Sequence, residues 1–528
     1  MKILVSDKLG SKGLEILKKE KAVSFDVKTG LPKEELKEVI KAYDGIIIRS
    51  GTKLTKEVLE SADKLKVVGR AGVGVDNVDL PTATKKGIIV MNTPGGNTVS
   101  TCEHTIAMIL SLSRKIPQAA ASLKGKEWAR SKFLGSELYG KTLGIVGFGR
   151  IGKEVAKRML SFGMKILVYD PFMSPETAPK MDVQFVSFKE LCKNGDYITM
   201  HTPKTEETKH MFNKETFKDM KDGVCIINCA RGGIINESDL YNAIKDGKVK
   251  GAALDVFESE PPKDSPLLEL DSVVAVPHLG ASTAEAQENV GIDVVEQVID
   301  ALLGKEVRNA VNLPSCDAET MKALGPWITL AERMGLFLTQ ISGAENLSCI
   351  TIKYSGEVTD FQIKPLTLAL IKGIFSPILE GEEVNYVNAP YIAKERGIEI
   401  IETKTSQLGD FTNAIYVEVK TGDKTTSVVG TLFGNNDPRI VRINDYHIDA
   451  DLRGVMLIIY NQDKPGAIGE IGTILGENKV NIAEMTLGRM KEGDVAITII
   501  NSDQEIPKNV LDKIKKLNKI VDALVVSL

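Results

Sequence analysis

The segment Gly147-Phe-Gly-Arg-Ile-Gly152 constrains this chain more than any other stretch. It follows the apolar run LGIV and opens the helical pattern IGKEVAKRMLSFG, the setting in which a GxGxxG turn acquires meaning. Gly147 permits a tight turn, Gly149 lets backbone approach a pyrophosphate, and Gly152 lets helix and strand pack closely. A phosphate then sits at the helix N-terminus, where unpaired N–H groups gather. The next strand, MKILVYD, ends in Asp170, 23 residues beyond Gly147 and near the spacing of a ribose-binding acid. No Arg follows Asp170 in YDPFMS, so a 2′-phosphate would face a bare carboxylate. The expected cofactor is therefore NAD rather than NADP. A second glycine motif, running from Gly135 to Thr142, fits GxxxxGK[ST] letter for letter. It follows the polar stretch KEWARSKF and leads into a strand, the reverse of what a phosphate loop requires, so Lys141 is read as a solvated residue at a strand start.

Around this motif, short Ile- and Val-rich runs alternate with charged helical stretches through the first three hundred residues. MKILVSD, DGIIIRS, LKVVGRA and GIIVMNT form one series. TLGIVGFG, MKILVYD, GDYITMHTP, GVCIINCA, GAALDVF and SVVAVP form a second. Such alternation builds parallel sheets through βαβ crossovers. A long amphipathic helix over 98–116 is expected to join the two sheets. Another, over 284–304, has no strand after it in the second series and is expected to cross back, making the first domain discontinuous. Beyond 314 the pattern mixes helices (321–341) with alternating strands (348–356, 413–434), the latter a hairpin through Thr421-Gly422-Asp423. Residues 454–528 read βαββαβ, the ferredoxin-like split βαβ. The expected fold is α/β, with two Rossmann-like parallel-sheet domains, an intervening α+β domain and a C-terminal ferredoxin-like domain.

The length of 528 residues suits three to four domains. A net charge of −4 and 5% aromatic residues argue against nucleic-acid binding, and no apolar run reaches the roughly 18 residues of a membrane span. The opening MKILVSD reads as a strand without the features of a signal peptide, so a cytoplasmic location is expected. Six cysteines (102, 192, 225, 229, 316, 349) show no zinc or CxxC spacing and are read as reduced thiols, and no metal is expected.

Catalytic candidates come from strand ends, where ligands bind in open α/β sheets. Of five histidines, His278 in VPHLGAS follows a strand, and the carboxylate of Glu260 in DVFESEPP follows the strand before it. A carboxylate bonded to an imidazole fixes its tautomer and raises its proton affinity. His201 also ends a strand, near the expected cofactor. Arg231 lies in NCARGG after a third strand, where a guanidinium can grip an α-hydroxy carboxylate bidentately. Base, carboxylate anchor and dinucleotide together are what hydride removal from a 2-hydroxy acid needs.

With GFGRIG, NCARGG…ALDVFESEPP and VPHLGAST in place, residues 1–312 resemble the D-isomer-specific 2-hydroxyacid dehydrogenases. The tail, with Asn461-Gln-Asp463-Lys-Pro465-Gly466 and Asn481, resembles an ACT domain, and residues 315–450 resemble the extra domain of the long form of that family. The resemblance implies that Arg231, Glu260 and His278 are catalytic. It implies that Asp255 contacts the nicotinamide carboxamide, that Asp170 binds the ribose, and that Arg150 and Ile151 offer backbone to the pyrophosphate. Thr202 and Cys229 are implied to line the cofactor. Arg49, Arg70, Gly72, Val73, Gly74 and Asn97 are implied to bind substrate, and Asp463, Gly466 and Asn481 an L-serine effector shared between neighbouring chains. The implied division is 1–97 with 285–312 for substrate, 98–284 for NAD, 313–452 as an intervening domain of the allosteric substrate-binding type, and 453–528 for regulation. The implied assembly is a homodimer or homotetramer. The implied reaction is NAD-dependent oxidation of 3-phospho-D-glycerate at C2, the first committed step of L-serine synthesis. Arg231 answers the substrate's carboxylate, and Arg49 and Arg70, each after a strand of the first domain, answer its phosphate. Two alternatives share these motifs: a dehydrogenase for another acid, of the glyoxylate/hydroxypyruvate reductase type, and an NAD-sensing co-repressor-like binding protein. The intact catalytic set and the appended regulatory domain weigh against the latter.

Overall fold

Strands β1 (Lys2–Val5), β2 (Ser24–Val27), β3 (Gly45–Ile48), β4 (Val67–Arg70) and β5 (Ile89–Asn92) form a parallel sheet in the order β2-β1-β3-β4-β5. This is the doubly wound 2-1-3-4-5 order, whose switch point lies between β1 and β3. In the computed structural model, residues 1–173, 181–313, 318–343, 346–379, 384–405, 411–434, 436–491 and 493–528 are described. Cys316 lies outside them, and the five described cysteines are free.

The second sheet contains β6 (Thr142–Val146), β7 (Lys165–Tyr169), β8 (Gln184–Phe185), β9 (Tyr197–Met200), β10 (Val224–Asn228), β11 (Val249–Leu254) and β12 (Val273–Ala275). Its order, β12-β11-β10-β9-β6-β7-β8, is all parallel and reverses direction between β6 and β9. Its central strands β9 and β10 are completely buried, which is why they read as unbroken apolar runs.

The helix Thr98–Arg114 stops two residues short of the expected span, because Lys115 turns left-handed (φ 51°) and Pro117 starts a new helix, Ile116–Lys124. The helix Ala284–Leu302 does cross back. Val290, Val294, Val298 and Leu302 pack on Ile3, Val5, Ile47 and Val67 of the first sheet. Where it passes β4, a Cβ on Gly69 would collide with Val298.

A third sheet, β13 (Leu347–Ser355), β14 (Glu399–Thr405), β15 (Ala414–Thr421), β16 (Lys424–Phe433), β17 (Asp437–Ile443) and β18 (Tyr446–Asp451), has the order β14-β13-β15-β16-β17-β18. The fourth, β19 (Val455–Gln462), β20 (Ile482–Arg489), β21 (Val495–Ser502) and β22 (Ile520–Ser527), is antiparallel in the order β20-β21-β19-β22. These two sheets share one core: Met456, Ile458, Ile497 and Val526 of the tail pack with Leu330, Met334 and Phe337 of the helix Ala318–Ser342. The third sheet's unit touches the first where Asn385 Nδ2 donates to Gly87 O (2.9 Å) and Lys85 pairs with Glu395 (3.1 Å). The architecture is the expected one. Among the described residues, no helix is long and apolar enough to cross a membrane.

Candidate active site

The glycine turn after β6 is built as its sequence demands. Gly147 takes φ +92° and donates its N–H to Tyr169 O (2.9 Å). Gly149 precedes the helix Arg150–Ser161 with open space where a Cβ would stand. A Cβ on Gly152 would collide with Gly147 O. Asp170 is held on the same turn: Oδ2 accepts from Phe148 N (2.8 Å) and Oδ1 from Phe172 N (2.9 Å). The Gly135–Thr142 segment enters β6 and opens no helix, so it is no phosphate loop.

A cavity of about 740 Å³ lies between the strand ends of the two parallel sheets. Val73, Gly74 and Asn97 line it, and Arg150, Ile151, Thr202, Cys229, Arg231, Asp255 and His278 join them. A second cavity, of about 840 Å³, continues outward past Arg70, Asp76, Lys204, Arg231, Glu260 and His278. Arg49 and Gly72 line neither, and Asp170 lies beyond both. Among the described residues, four buried polar atoms around the cleft have no protein partner: Arg70 Nε, Asn97 Oδ1, His201 Nδ1 and Thr202 Oγ1. Unpaired buried polar groups are costly and rare, so their gathering here suits a site that a ligand completes. Together with the open backbone at Gly149, they fit a dinucleotide.

His278 has left-handed backbone (φ 53°), uncommon for a side chain of its size, and its N–H donates to Asp255 O (2.9 Å). That conformation brings Nδ1 within 2.9 Å of Glu260 Oε2. The hydrogen bond that His278 donates to Glu260 raises the proton affinity of the imidazole, against burial and the charge of Arg231. Burial pushes Glu260 up, but the hydrogen bond and charge of His278 outweigh it and hold the carboxyl below its usual range. His201 is different: burial drives it down to about 4, and its Nε2 rests 3.2 Å from Thr199 Oγ1, so it stays neutral.

Asp255 carries a structural duty that its expected nicotinamide contact did not suggest. It is 1% exposed, and its oxygens accept from Leu279 N (2.6 Å) and Gly280 N (2.9 Å). Ser100 Oγ donates to Gly280 O from the other side (2.8 Å). The loop carrying His278 is thereby clamped. The glycine after Arg231 is also required, since a Cβ on Gly232 would collide with Phe257 O.

Arg231 Nε donates to Asp76 Oδ2 (3.1 Å) across the cleft, and Nη1 donates to Ala230 O (2.7 Å). Arg70 folds back over Gly72, where Nη1 donates to Ala71 O (3.3 Å). Burial, with Arg231 and Arg49 close by, pulls its guanidinium down to about 10, while Asp76 and Asp7 oppose this. Arg49 donates from Nη1 to Lys8 O (3.3 Å). The three arginines thus form one cationic cluster, and Asp76, absent from the sequence-based set, faces it together with Asp7.

In the tail, Asp463 follows β19 and pairs with Arg489 (3.2 Å), and Gly466 caps the helix Ala467–Glu477 at φ +85°. Asn481 precedes β20 and donates to Asp503 (2.7 Å). Gln462 pairs with Val495 and Ile482 with Ser502, at opposite ends of β21. At about 3.3 Å per residue, Asp463 and Asn481 of one chain stand roughly 20 Å apart. One chain does not bring them together.

Residues 106–280 match the D-isomer specific 2-hydroxyacid dehydrogenase NAD-binding domain, 323–444 the D-3-phosphoglycerate dehydrogenase intervening domain, and 455–519 the ACT domain. A D-lactate dehydrogenase of Aquifex aeolicus, solved with NAD and lactic acid, is similar at 32% identity and a TM-score of 0.53, over 60% of this chain and 100% of that one. A glyoxylate reductase of Paecilomyes thermophila is similar at 29% identity and a TM-score of 0.55, over 59% of this chain and 97% of that one. The fold and the cleft thus define an NAD-binding dehydrogenase of D-2-hydroxy acids. Over its full length the chain is 45% identical to the D-3-phosphoglycerate dehydrogenase of Methanocaldococcus jannaschii, covering 100% of both. It is 43% identical to that of Bacillus subtilis, covering 100% of this chain and 99% of the relative. The chain belongs to the D-3-phosphoglycerate dehydrogenase family.

Proposed function

We propose that the protein oxidises 3-phospho-D-glycerate at C2 to 3-phosphohydroxypyruvate, the first committed step of L-serine synthesis. The observation that carries this reading is the meeting of the Glu260–His278 pair with Arg231 and Arg70 along the two adjoining cavities. NAD held against the glycine turn would supply the acceptor for the C2 hydride. His278 accepts the hydroxyl proton on Nε2, since Nδ1 is engaged by Glu260. Glu260 fixes the imidazole's tautomer and stabilises its charged form. Arg231 holds the substrate carboxylate, and Arg70 with Arg49 supplies charge for the phosphate. Gly149, Arg150 and Ile151 would offer backbone to the pyrophosphate, Gly147 and Gly152 allow the turn and the packing that present it, and Asp170 would select the unphosphorylated ribose. Asp255 serves chiefly to hold the His278 loop.

Steady-state rates with NAD on 3-phospho-D-glycerate and on D-glycerate test the reading. A much larger kcat/KM for the phosphorylated acid is expected, and a preference for the other acid overturns it. We further propose that the enzyme works in the cytoplasm as a homodimer or homotetramer. Trp128 (77% exposed), Leu134 (83%) and Tyr139 (79%), all after the helix Ile116–Lys124, support an interface there. Serine is proposed to bind between two tails, because only a second chain can bring Asn481 to Asp463 and Gly466.

A further inference from the structure

The donors of Arg231 are partly spoken for. Nε is engaged by Asp76 and Nη1 faces Ala230 O. A two-point grip on a carboxylate uses two N–H groups along one edge of the guanidinium. The edge formed by Nε and Nη2 is the one Asp76 occupies, and Gly74 packs so closely there that a Cβ on it would collide with Nη2. Asp76 belongs to the loop after β4, on the wall opposite Arg231, and both residues line both cavities. Its backbone neighbours are fixed: Asn77 Nδ2 donates to Arg49 O and Thr52 O (2.6 Å each), and Asp79 accepts from Thr82 N (3.0 Å). The Asp76 side chain itself is 66% exposed, with solvent beside its pair with Arg231. It can swing from Arg231 while the loop stays in place.

We propose that Asp76 is a residue that competes with the substrate's carboxylate for Arg231 and so sets the affinity of the cleft for 2-hydroxy acids. The proposal rests on the reading of Arg231 as the carboxylate anchor. A substrate that takes the Nε–Nη2 edge must first displace Asp76, so its apparent affinity is reduced by the strength of that pair. An acid that brings a second negative group has Arg70 and Arg49 to offset this loss. A plain monocarboxylate has no second group for that pair to hold. Asp76 therefore lowers the affinity of the cleft for every acid that takes this edge by one common factor, and the charge of Arg70 and Arg49 adds to the affinity of doubly anionic acids on top of that shared cost.

The test uses the full chain, with Asp76→Asn and Asp76→Ser as independent variants. KM for 3-phospho-D-glycerate and for D-glycerate, and the inhibition constant of malonate, are read alongside kcat. An exposed ion pair corresponds to a factor of about two to five in affinity. All three constants are expected to fall by about that factor in both variants, and by none of it in an Arg231→Gln background. Constants that rise or stay unchanged in both Asp76 variants overturn the proposal. Arg231→Gln alone separates it from the reading beneath it. If that change raises KM while the Asp76 variants do not lower it, only the proposal fails; if it leaves KM unchanged, the anchor reading fails and the proposal with it.

Discussion

Replacing Glu260 by Gln removes a charge from His278 while keeping an oxygen that can accept from Nδ1. The two groups stand 2.9 Å apart in the structure, with charge centres about 4 Å apart. At that separation a pair of unit charges interacts by about 1 kcal/mol in bulk water and about 4 kcal/mol at an effective dielectric of 20. The side chains are 49% and 40% exposed, which places the pair nearer the watery limit, at roughly 1–2 kcal/mol. Since 1.36 kcal/mol corresponds to one pH unit, the His278 proton affinity should fall by about one unit. The imidazole must be neutral to take the hydroxyl proton, so the acid limb of kcat/KM for oxidation should move about one unit towards lower pH. Reduction needs the charged ring, and its alkaline limb should move down by the same amount. General acid–base catalysis contributes roughly 10²–10⁴-fold, and the variant keeps the base, so its plateau loss should lie at or below the lower end. The assay is the pH dependence of both directions in wild type and variant. Limbs that stay in place, or move up, refute Glu260 as the group that raises His278. Stability carries the same sign: the raised affinity of His278 favours the folded chain below the ordinary imidazole value and stops doing so as pH climbs through the raised one.

Asp170→Ala should cut the preference for NAD over NADP, because hydrogen bonds to a charged group are worth roughly 1.5–3 kcal/mol, and an unchanged ratio of kcat/KM values removes Asp170 from the ribose. Arg70→Ala should raise KM for 3-phospho-D-glycerate much more than KM for D-glycerate, since only the former loses a phosphate contact; equal effects show that Arg70 does not read the phosphate. Asp463→Ala should weaken serine binding in calorimetric titrations of the full chain and relieve inhibition, a coupling of about 1–3 kcal/mol, and unaltered affinity would show that Asp463 does not hold the amine.

Glu260 and His278 were legible as a pair because each follows a strand of one parallel sheet, and parallel sheets gather such ends on one edge. Asp76 was not. It shares a loop with Gly72 and Gly74, yet its partner Arg231 lies 155 residues away on another domain. Nothing local distinguishes it from a solvated acid in a turn. Asp255 was legible as a site residue, but its work of clamping Leu279 and Gly280 depends on a loop that only packing brings to it.

The sequence by itself determined the turn at Gly147, the strand runs, the crossing-back of the helix Ala284–Leu302 and the βαββαβ order of the tail. Each rests on short-range chemistry: glycine's permissive backbone, the periodicity of apolar residues, and which side chains can end a helix or a strand. Tertiary structure alone decided which charges meet. It set Asp76 against Arg231, drew Arg70 and Arg49 into the same cluster, turned His278 into left-handed backbone beneath Glu260, and placed Asp463 and Asn481 at opposite ends of one sheet. Those outcomes depend on how separately folded layers face one another, and the interactions that settle them act between residues far apart in the chain.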